Sequence, residues 1–209
     1  MRSETHREGL IFVISGPSGA GKTTLIHSIL LKWPELRFSV SCTTRSPRGD
    51  EAQGKDYHFI STEEFQEGIR RGRFLEWAKV HGAYYGTDGK RVSEWLLEGF
   101  DVLLDIDVQG ARQVVCHYPL ARTVFVMPPS LEELEQRLRE RDSDAPEKVA
   151  LRLRAALDEI REAPWYEFLI VNDTREEAIA DLEGIIRACR CHRLRRAHWV
   201  GSLLERARA

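Results

Sequence analysis

Four apolar runs along the chain are short and continuous: Leu10-Ile11-Phe12-Val13-Ile14, Val102-Leu103-Leu104, Thr123-Val124-Phe125-Val126-Met127 and Phe168-Leu169-Ile170-Val171. Successive side chains of a strand point to opposite faces, so a run without polar alternation predicts a strand buried on both sides. Between the runs, apolar residues recur at helical spacing and predict helices over 22–31, about 108–116, 130–141, 146–162 and from 175 onward. Ser130, with Glu132 and Glu133 in the turn after it, is a start signal for the third of these. The first ends near Trp33-Pro34. Helices that connect buried strands act as crossovers, so the pattern predicts an α/β fold built on a doubly wound parallel sheet.

Two stretches break this pattern. Over 39–99, short alternating pieces such as Tyr57-His58-Phe59-Ile60 and Phe74-Leu75-Glu76-Trp77-Ala78 are mixed with turn signals at Pro47-Arg48-Gly49-Asp50 and Gly82-Ala83-Tyr84-Tyr85-Gly86. That texture predicts an inserted, partly antiparallel α+β subdomain. A second, polar insertion over 137–152 carries Arg137, Arg139, Arg141 and Arg152 around Asp142-Ser143-Asp144-Ala145-Pro146. The core is then 1–38, 100–136 and 153–209. Beyond about Ala188 the chain is arginine-rich, with Leu194, Ala197, Gly201 and Leu204 at helical spacing, which reads as a terminal helix with a solvated basic face.

The chemistry begins at Gly16-Pro17-Ser18-Gly19-Ala20-Gly21-Lys22-Thr23, between the first strand and the first helix. The spacing G-x-x-x-x-G-K-[ST] lets consecutive backbone N–H groups converge on phosphate oxygens, because glycine permits turns and close approaches that a Cβ would block. The helix that follows, from Lys22 through Thr23 and Thr24, adds its positive N-terminal end. Lys22 would lie along the β- and γ-phosphates of a nucleoside triphosphate, and Thr23 would offer its hydroxyl directly to Mg²⁺. Asp105 ends an apolar strand beside this loop, where a carboxylate can hold a water on Mg²⁺; the alternative is that it caps the following helix.

Bulk properties narrow the partners. The chain has 209 residues, 42% hydrophobic, with 31 basic against 33 acidic side chains and a net charge of −2. Such a balance suits a soluble unit with a sizeable core and gives no electrostatic footprint for nucleic acid. The polar start and the short apolar run behind it predict neither signal peptide nor membrane span, hence a cytoplasmic location. Cys42, Cys116, Cys189 and Cys191 form no C-x-x-C pair and read as reduced thiols.

What receives the phosphoryl group is suggested by Ser41-Cys42-Thr43-Thr44-Arg45-Ser46-Pro47-Arg48, followed by Gly54-Lys55-Asp56-Tyr57. Forked guanidinium donors and a phenol suit a phosphate that is held but not cleaved. Together with Phe74-Leu75-Glu76-Trp77-Ala78, Tyr84-Tyr85-Gly86-Thr87, Leu104-Asp105-Ile106-Asp107-Val108-Gln109-Gly110, Pro128-Pro129-Ser130 and Ile170-Val171-Asn172-Asp173, the series resembles guanylate kinase from about Gly9 to about Cys189.

The resemblance implies that Arg45, Arg48, Tyr57 and Tyr85 bind the GMP phosphate, while Ser41, Glu76, Thr87 and Asp107 read the guanine. Threonine at 87 stands where the family often has serine and keeps the hydroxyl. It further implies that 39–99 is the GMP-binding subdomain, that 137–152 is a lid over ATP, and that Asn172 lies near the adenine. The reaction is then ATP + GMP giving ADP + GDP, with dGMP as a further acceptor, Mg²⁺ as cofactor, and Lys22, Arg45, Asp105, Arg137 and Arg152 as the catalytic set, Arg141 close behind on the ATP side. Guanine presents two adjacent donors that a carboxylate accepts, whereas adenine would set an acceptor against Glu76. The GMP phosphate, with a second pKa of about 6, needs no general base; the demand on the site is electrostatic. Two rivals share the fold: a ribose-bisphosphate kinase, which has no use for the guanine-reading set, and the non-catalytic peptide-binding domains, whose phosphate loops are eroded. Monomer or homo-oligomer stays open.

Overall fold

In the computed structural model, which describes residues 8–80, 82–141 and 146–207, a parallel sheet carries the core. Its strands are β1 (Ile11–Ser15), β2 (Leu36–Phe38), β7 (Asp101–Asp105), β8 (Arg122–Met127) and β9 (Phe168–Val171), in the order β2-β7-β1-β8-β9. Alternate residues of β1 feed two separate cores. Phe12 and Ile14 pack with Leu25 and Ile29 of α1 (Lys22–Lys32) and Leu182 and Ile186 of α7 (Arg175–Cys191). Ile11 and Val13 pack with Val92 and Leu96 of α3 (Gly89–Leu97) and Val114 of α4 (Val108–His117). Helices on both faces make the sheet doubly wound. Full burial of each such side chain contributes about 1.5–3 kcal/mol, so the strand ends that carry the loops sit on a rigid platform.

A second, four-stranded sheet has the order β4-β3-β6-β5, from β3 (Cys42–Thr43), β4 (His58–Phe59), β5 (Phe74–Val80) and β6 (Ala83–Asp88), with α2 (Thr62–Arg70) against it. Its β3–β4 pairing is parallel and its β3–β6 and β5–β6 pairings are antiparallel. Phe65 of α2 stacks on Phe74 at 4.3 Å and on Tyr84 at 5.3 Å between ring centroids, which fixes helix to sheet. Ser61 caps α2 by accepting from the Glu64 N–H at 3.1 Å.

The segment around 137–152 consists of the ends of two helices, α5 (Leu131–Arg141) and α6 (Pro146–Arg161), which share a small core of Leu134, Leu138, Val149 and Ala156. The tip at 142–145 and the side chain of Arg141 lie outside what is described. Among the described residues, no helix is long and apolar enough to cross a membrane.

Three sequence expectations need correction. Strand β2 is absent from the apolar pattern because its middle residue is Arg37, whose guanidinium lies over the Phe100 ring at 3.7 Å. Strand β9 is not buried on both faces: it is the sheet edge, and Leu169 and Val171 are 55% and 53% exposed while Ile170 is buried. The C-terminal helix is two, α7 and α8 (Arg193–Arg206), separated where His192 turns extended at φ −56°, ψ 136°. On α8, Trp199, Val200, Leu203 and Leu204 are exposed; the side chain of Leu194 lies outside the description.

Candidate active site

The loop between β1 and α1 depends on two glycines. Gly16 has φ +144°, and a Cβ there would come within 2.3 Å of the Val126 carbonyl oxygen. Gly21 has φ +92°, and a Cβ would meet Asn172 Nδ2 at 2.2 Å. No side chain caps the first turn of α1, and no acidic residue lies in it, so its N–H groups form an anion-binding concavity. Lys22 lies across the loop, its Nζ donating to the Gly16 carbonyl at 2.6 Å.

Three carboxylates face this loop from other elements. Asp105 ends β7, Asp107 precedes α4, and Glu159 projects from α6. It is Asp107 that caps α4, accepting from the Gly110 N–H at 2.8 Å, which leaves Asp105 out of the helix cap. Burial pushes Glu159 up to about 7; the Lys22 ammonium opposes the rise, and Asp107 and Asp105 add to it. Burial likewise raises Asp107.

On the opposite wall, Arg45 is held on several sides. Its two terminal nitrogens grip both oxygens of Glu51 at 2.8 and 2.9 Å, and its Nε donates to the Tyr85 hydroxyl at 3.2 Å. The same guanidinium stands over the Tyr57 ring at 5.1 Å, and the Glu51 hydrogen bonds hold it firmly in its charged form. Glu51 also accepts the Arg48 backbone N–H at 2.8 Å, closing a compact turn around two arginines. Deeper in, Glu76 on β5 is 3% exposed and accepts from the Thr87 hydroxyl of β6 at 2.6 Å. Burial lifts Glu76 to about 7, with the Asp107 charge adding to the rise and the Thr87 hydrogen bond resisting it.

These walls enclose one cleft of about 770 Å³. It brings together the phosphate loop through Thr24, the residues expected on the acceptor side, Ser41, Arg45, Arg48, Tyr57, Glu76 and Tyr85, the carboxylates Asp105 and Asp107, and Arg137 and Arg152 from α5 and α6. Three expected residues stand behind it, the fully buried Ala20 of the loop among them. Thr87 is fully buried, with its hydroxyl directed to Glu76. Asn172 is 8% exposed, and its Nδ2 donates to the Ala20 carbonyl at 2.7 Å, bracing the back of the loop. Arg137 is tethered through Nε to Glu133 at 2.8 Å and through Nη2 to the Asn172 carbonyl at 3.3 Å.

Sequence reasoning missed Glu51 and Glu159, both of which line the cleft. Glu159 had a signal: it lies seven residues after Arg152 on a predicted helix, two turns along the same face. Glu51 lies in an irregular turn and had none.

Compared with known proteins, residues 9–189 match the family model described as guanylate kinase. A guanylate kinase of Geobacter metallireducens is 48% identical over 189 residues, covering 90% of this chain and 93% of the relative. One of Symbiobacterium thermophilum is 48% identical over 200 residues, covering 95% of each. The crystal structure of guanylate kinase from Anaplasma phagocytophilum is similar with a TM-score of 0.75 and 33% identity, covering 90% of each chain.

Proposed function

The chain belongs to the guanylate kinase family and transfers a phosphoryl group from ATP to GMP, and we propose that the 770 Å³ cleft between the two sheets is where it does so. The observation that carries this assignment is that one cleft holds both the phosphate loop and a buried carboxylate, Glu76, already aligned by a hydroxyl. The loop takes the ATP phosphates on backbone N–H groups, and Lys22 exchanges the Gly16 carbonyl for phosphate oxygens. Arg45, Arg48, Tyr57 and Tyr85 hold the GMP phosphate, with Glu51 keeping the Arg45 fork in place. Ser41, Glu76 and Asp107 face the base, and Thr87 acts through Glu76. Asn172 serves the loop as a brace.

Thr23 and Asp105 both line the cleft beside the loop, and a hydroxyl and a carboxylate are hard oxygen donors of the kind that suits Mg²⁺. When bound, the ion neutralises charge on the β- and γ-phosphates. The remaining cationic demand falls on Lys22, Arg45, Arg137 and Arg152, which offset repulsion between two polyanions and stabilise charge on the transferring group. Direct in-line transfer follows, because the acceptor oxygen of GMP is already anionic at neutral pH. The helices bearing Arg137 and Arg152 exclude water as a competing acceptor when they close on bound nucleotides.

The experiment is ADP release measured with GMP, dGMP, AMP and ribose bisphosphate as acceptors, in magnesium and in chelator. Strong preference for the guanine nucleotides, lost in chelator, is expected. Equal use of AMP would remove the base-reading role of Glu76, and full activity in chelator would remove Thr23 and Asp105 from their metal role.

A further inference from the structure

Gly110 sits in the first turn of α4 with ordinary helical backbone, outside the set of glycines with positive φ. Nothing in its own conformation calls for glycine, and alanine is the better helix former at such a position. Its surroundings supply the reason. A Cβ at Gly110 would lie 2.3 Å from Glu76 Oε2, 3.0 Å from Glu76 Cδ and 3.4 Å from Asp107 Oδ1. The Glu76 carboxylate is therefore seated on the bare backbone of α4, with its other oxygen, Oε1, fixed by Thr87 at 2.6 Å.

One turn further on, Gln113 makes the contact directional. Its Nε2 donates to the Trp77 carbonyl at 2.8 Å, and its Oε1 accepts the Trp77 N–H at 3.2 Å. Trp77 follows Glu76 on β5, the edge strand of the second sheet, so the Gln113 amide pairs with that edge as a further strand would. Gly110 and Gln113, three apart, share one helix face. The same α4 is capped by Asp107, so the helix that seats Glu76 also carries the second carboxylate of the base-binding end.

We propose that Gly110 is a positioning residue for base recognition: by lacking a side chain it sets where the Glu76 carboxylate stands relative to Asp107, and Gln113 holds β5 in the register that makes this seat. The proposal rests on the reading of Glu76 as the residue that accepts the guanine donors. Any side chain at 110 must displace the carboxylate by several tenths of an ångström, off its seat and out of line with Thr87. Misplacement of this order, approaching 1 Å, costs roughly 10²-fold in a positioned reaction.

The test compares Gly110→Ala, Glu76→Ala, their double variant and Gln113→Ala, by kcat and KM for GMP, AMP and ATP and by thermal unfolding. Gly110→Ala is expected to lower kcat/KM for GMP by roughly 10- to 100-fold, mostly through KM, with KM for ATP within about threefold and the variant folded at the assay temperature. In the Glu76→Ala background the same change should cost less than about twofold, because the carboxylate it displaces is gone. Gln113→Ala loosens the seam without a clash and should raise KM for GMP by about three- to tenfold through two lost hydrogen bonds, which decides the matter if Gly110→Ala does not fold. If Glu76→Ala keeps its preference for GMP over AMP, the base-reading assignment itself fails. If Glu76→Ala loses that preference while Gly110→Ala or Gln113→Ala keeps normal GMP kinetics, or if Gly110→Ala costs as much without Glu76 as with it, the positioning role is overturned.

Discussion

Thr87 and Glu76 face each other across the β5–β6 ladder, and the threonine hydroxyl donates to the buried carboxylate at 2.6 Å. A hydroxyl on the neighbouring strand thus fixes one oxygen of Glu76 and opposes the desolvation that would otherwise keep it protonated. Thr87→Val keeps shape and removes that donor. A hydrogen bond to a charged group contributes about 1.5–3 kcal/mol, so kcat/KM for GMP should fall roughly 10- to 100-fold while Thr87→Ser stays near the parent. Steady-state kinetics on the two variants check this; a valine variant within twofold of the parent would remove Thr87 from base recognition.

Glu76 also makes stability and binding depend on pH in opposite senses. Its folded value, about 7, lies above the ordinary glutamate value of 4.5, so the folded state holds the proton more tightly than the unfolded chain. The associated stability, about 3 kcal/mol, is fully present below about 4.5 and is lost as pH rises through about 7. Glu76→Gln, which carries no charge, should therefore unfold at higher temperature than the parent at pH 8 and at nearly the same temperature at pH 4.5. GMP binding should run the other way, weakening in the parent as pH falls below about 7, because only the carboxylate accepts both guanine donors. Thermal melts and GMP titrations across pH 5–8.5 measure both; a parent-minus-variant melting difference that does not change with pH would show that Glu76 is not perturbed.

Arg45 carries a geometric rather than a purely electrostatic duty. Its fork already serves Glu51 and Tyr85, and in the role proposed for it the GMP phosphate joins this arrangement. Lysine keeps the charge but cannot span two partners in a plane. Arg45→Lys should weaken GMP binding by at least about tenfold with KM for ATP within about threefold. Calorimetric titration with GMP checks it, and undiminished affinity would mean that charge alone suffices there.

Arg137 and Arg152 reach the cleft from α5 and α6 rather than from the second sheet, so their contribution should be to the transferring group. Alanine at either position should lower kcat by at least about tenfold and change the equilibrium affinity for GMP alone by less than about threefold. A collapse of GMP affinity would place them in the acceptor site instead.

The parallel core and the phosphate loop were legible in the sequence because buried strands produce continuous apolar runs and because the loop needs glycine at fixed offsets. The same reasoning failed at Arg37 in β2 and at Leu169 and Val171 in β9, where position in the sheet, not composition, decides exposure. The roles proposed for the base-reading end come only from resemblance. Short alternating strands over 39–99 do not reveal that Glu76 becomes 3% exposed, nor that Gly110, some thirty residues later, lies against it. Roles that depend on a neighbour from another element, as for Glu51, Gln113 and Asn172, leave no local trace.

Another such neighbour ties the C-terminal end of α7 to the start of β7. Arg190 Nε donates to Asp101 Oδ2 at 2.6 Å, Asp101 Oδ1 accepts the Leu10 N–H at 2.8 Å, and Asp101 is 1% exposed. The guanidinium also reaches Glu35 at 3.1 Å and stands over the Trp33 ring at 4.4 Å, so one side chain joins α7, β7 and the turn after α1. Removing the arginine takes from buried Asp101 a hydrogen bond between charged groups, which contributes about 1.5–3 kcal/mol, more than a surface ion pair does, while the Leu10 N–H stays on the other carboxylate oxygen. Arg190→Ala should therefore lower unfolding free energy by that amount, and Arg190→Lys by less, since an ammonium keeps the charge but not the stacking on Trp33. None of these residues lines the cleft, so kcat at a temperature where the variants remain folded should stay within about twofold. Urea unfolding with parallel activity measurements separates the two effects. A loss under 1 kcal/mol in Arg190→Ala would mean that water reaches Asp101 once the arginine is gone, and that packing of α7 on the sheet, not the ion pair, holds this corner.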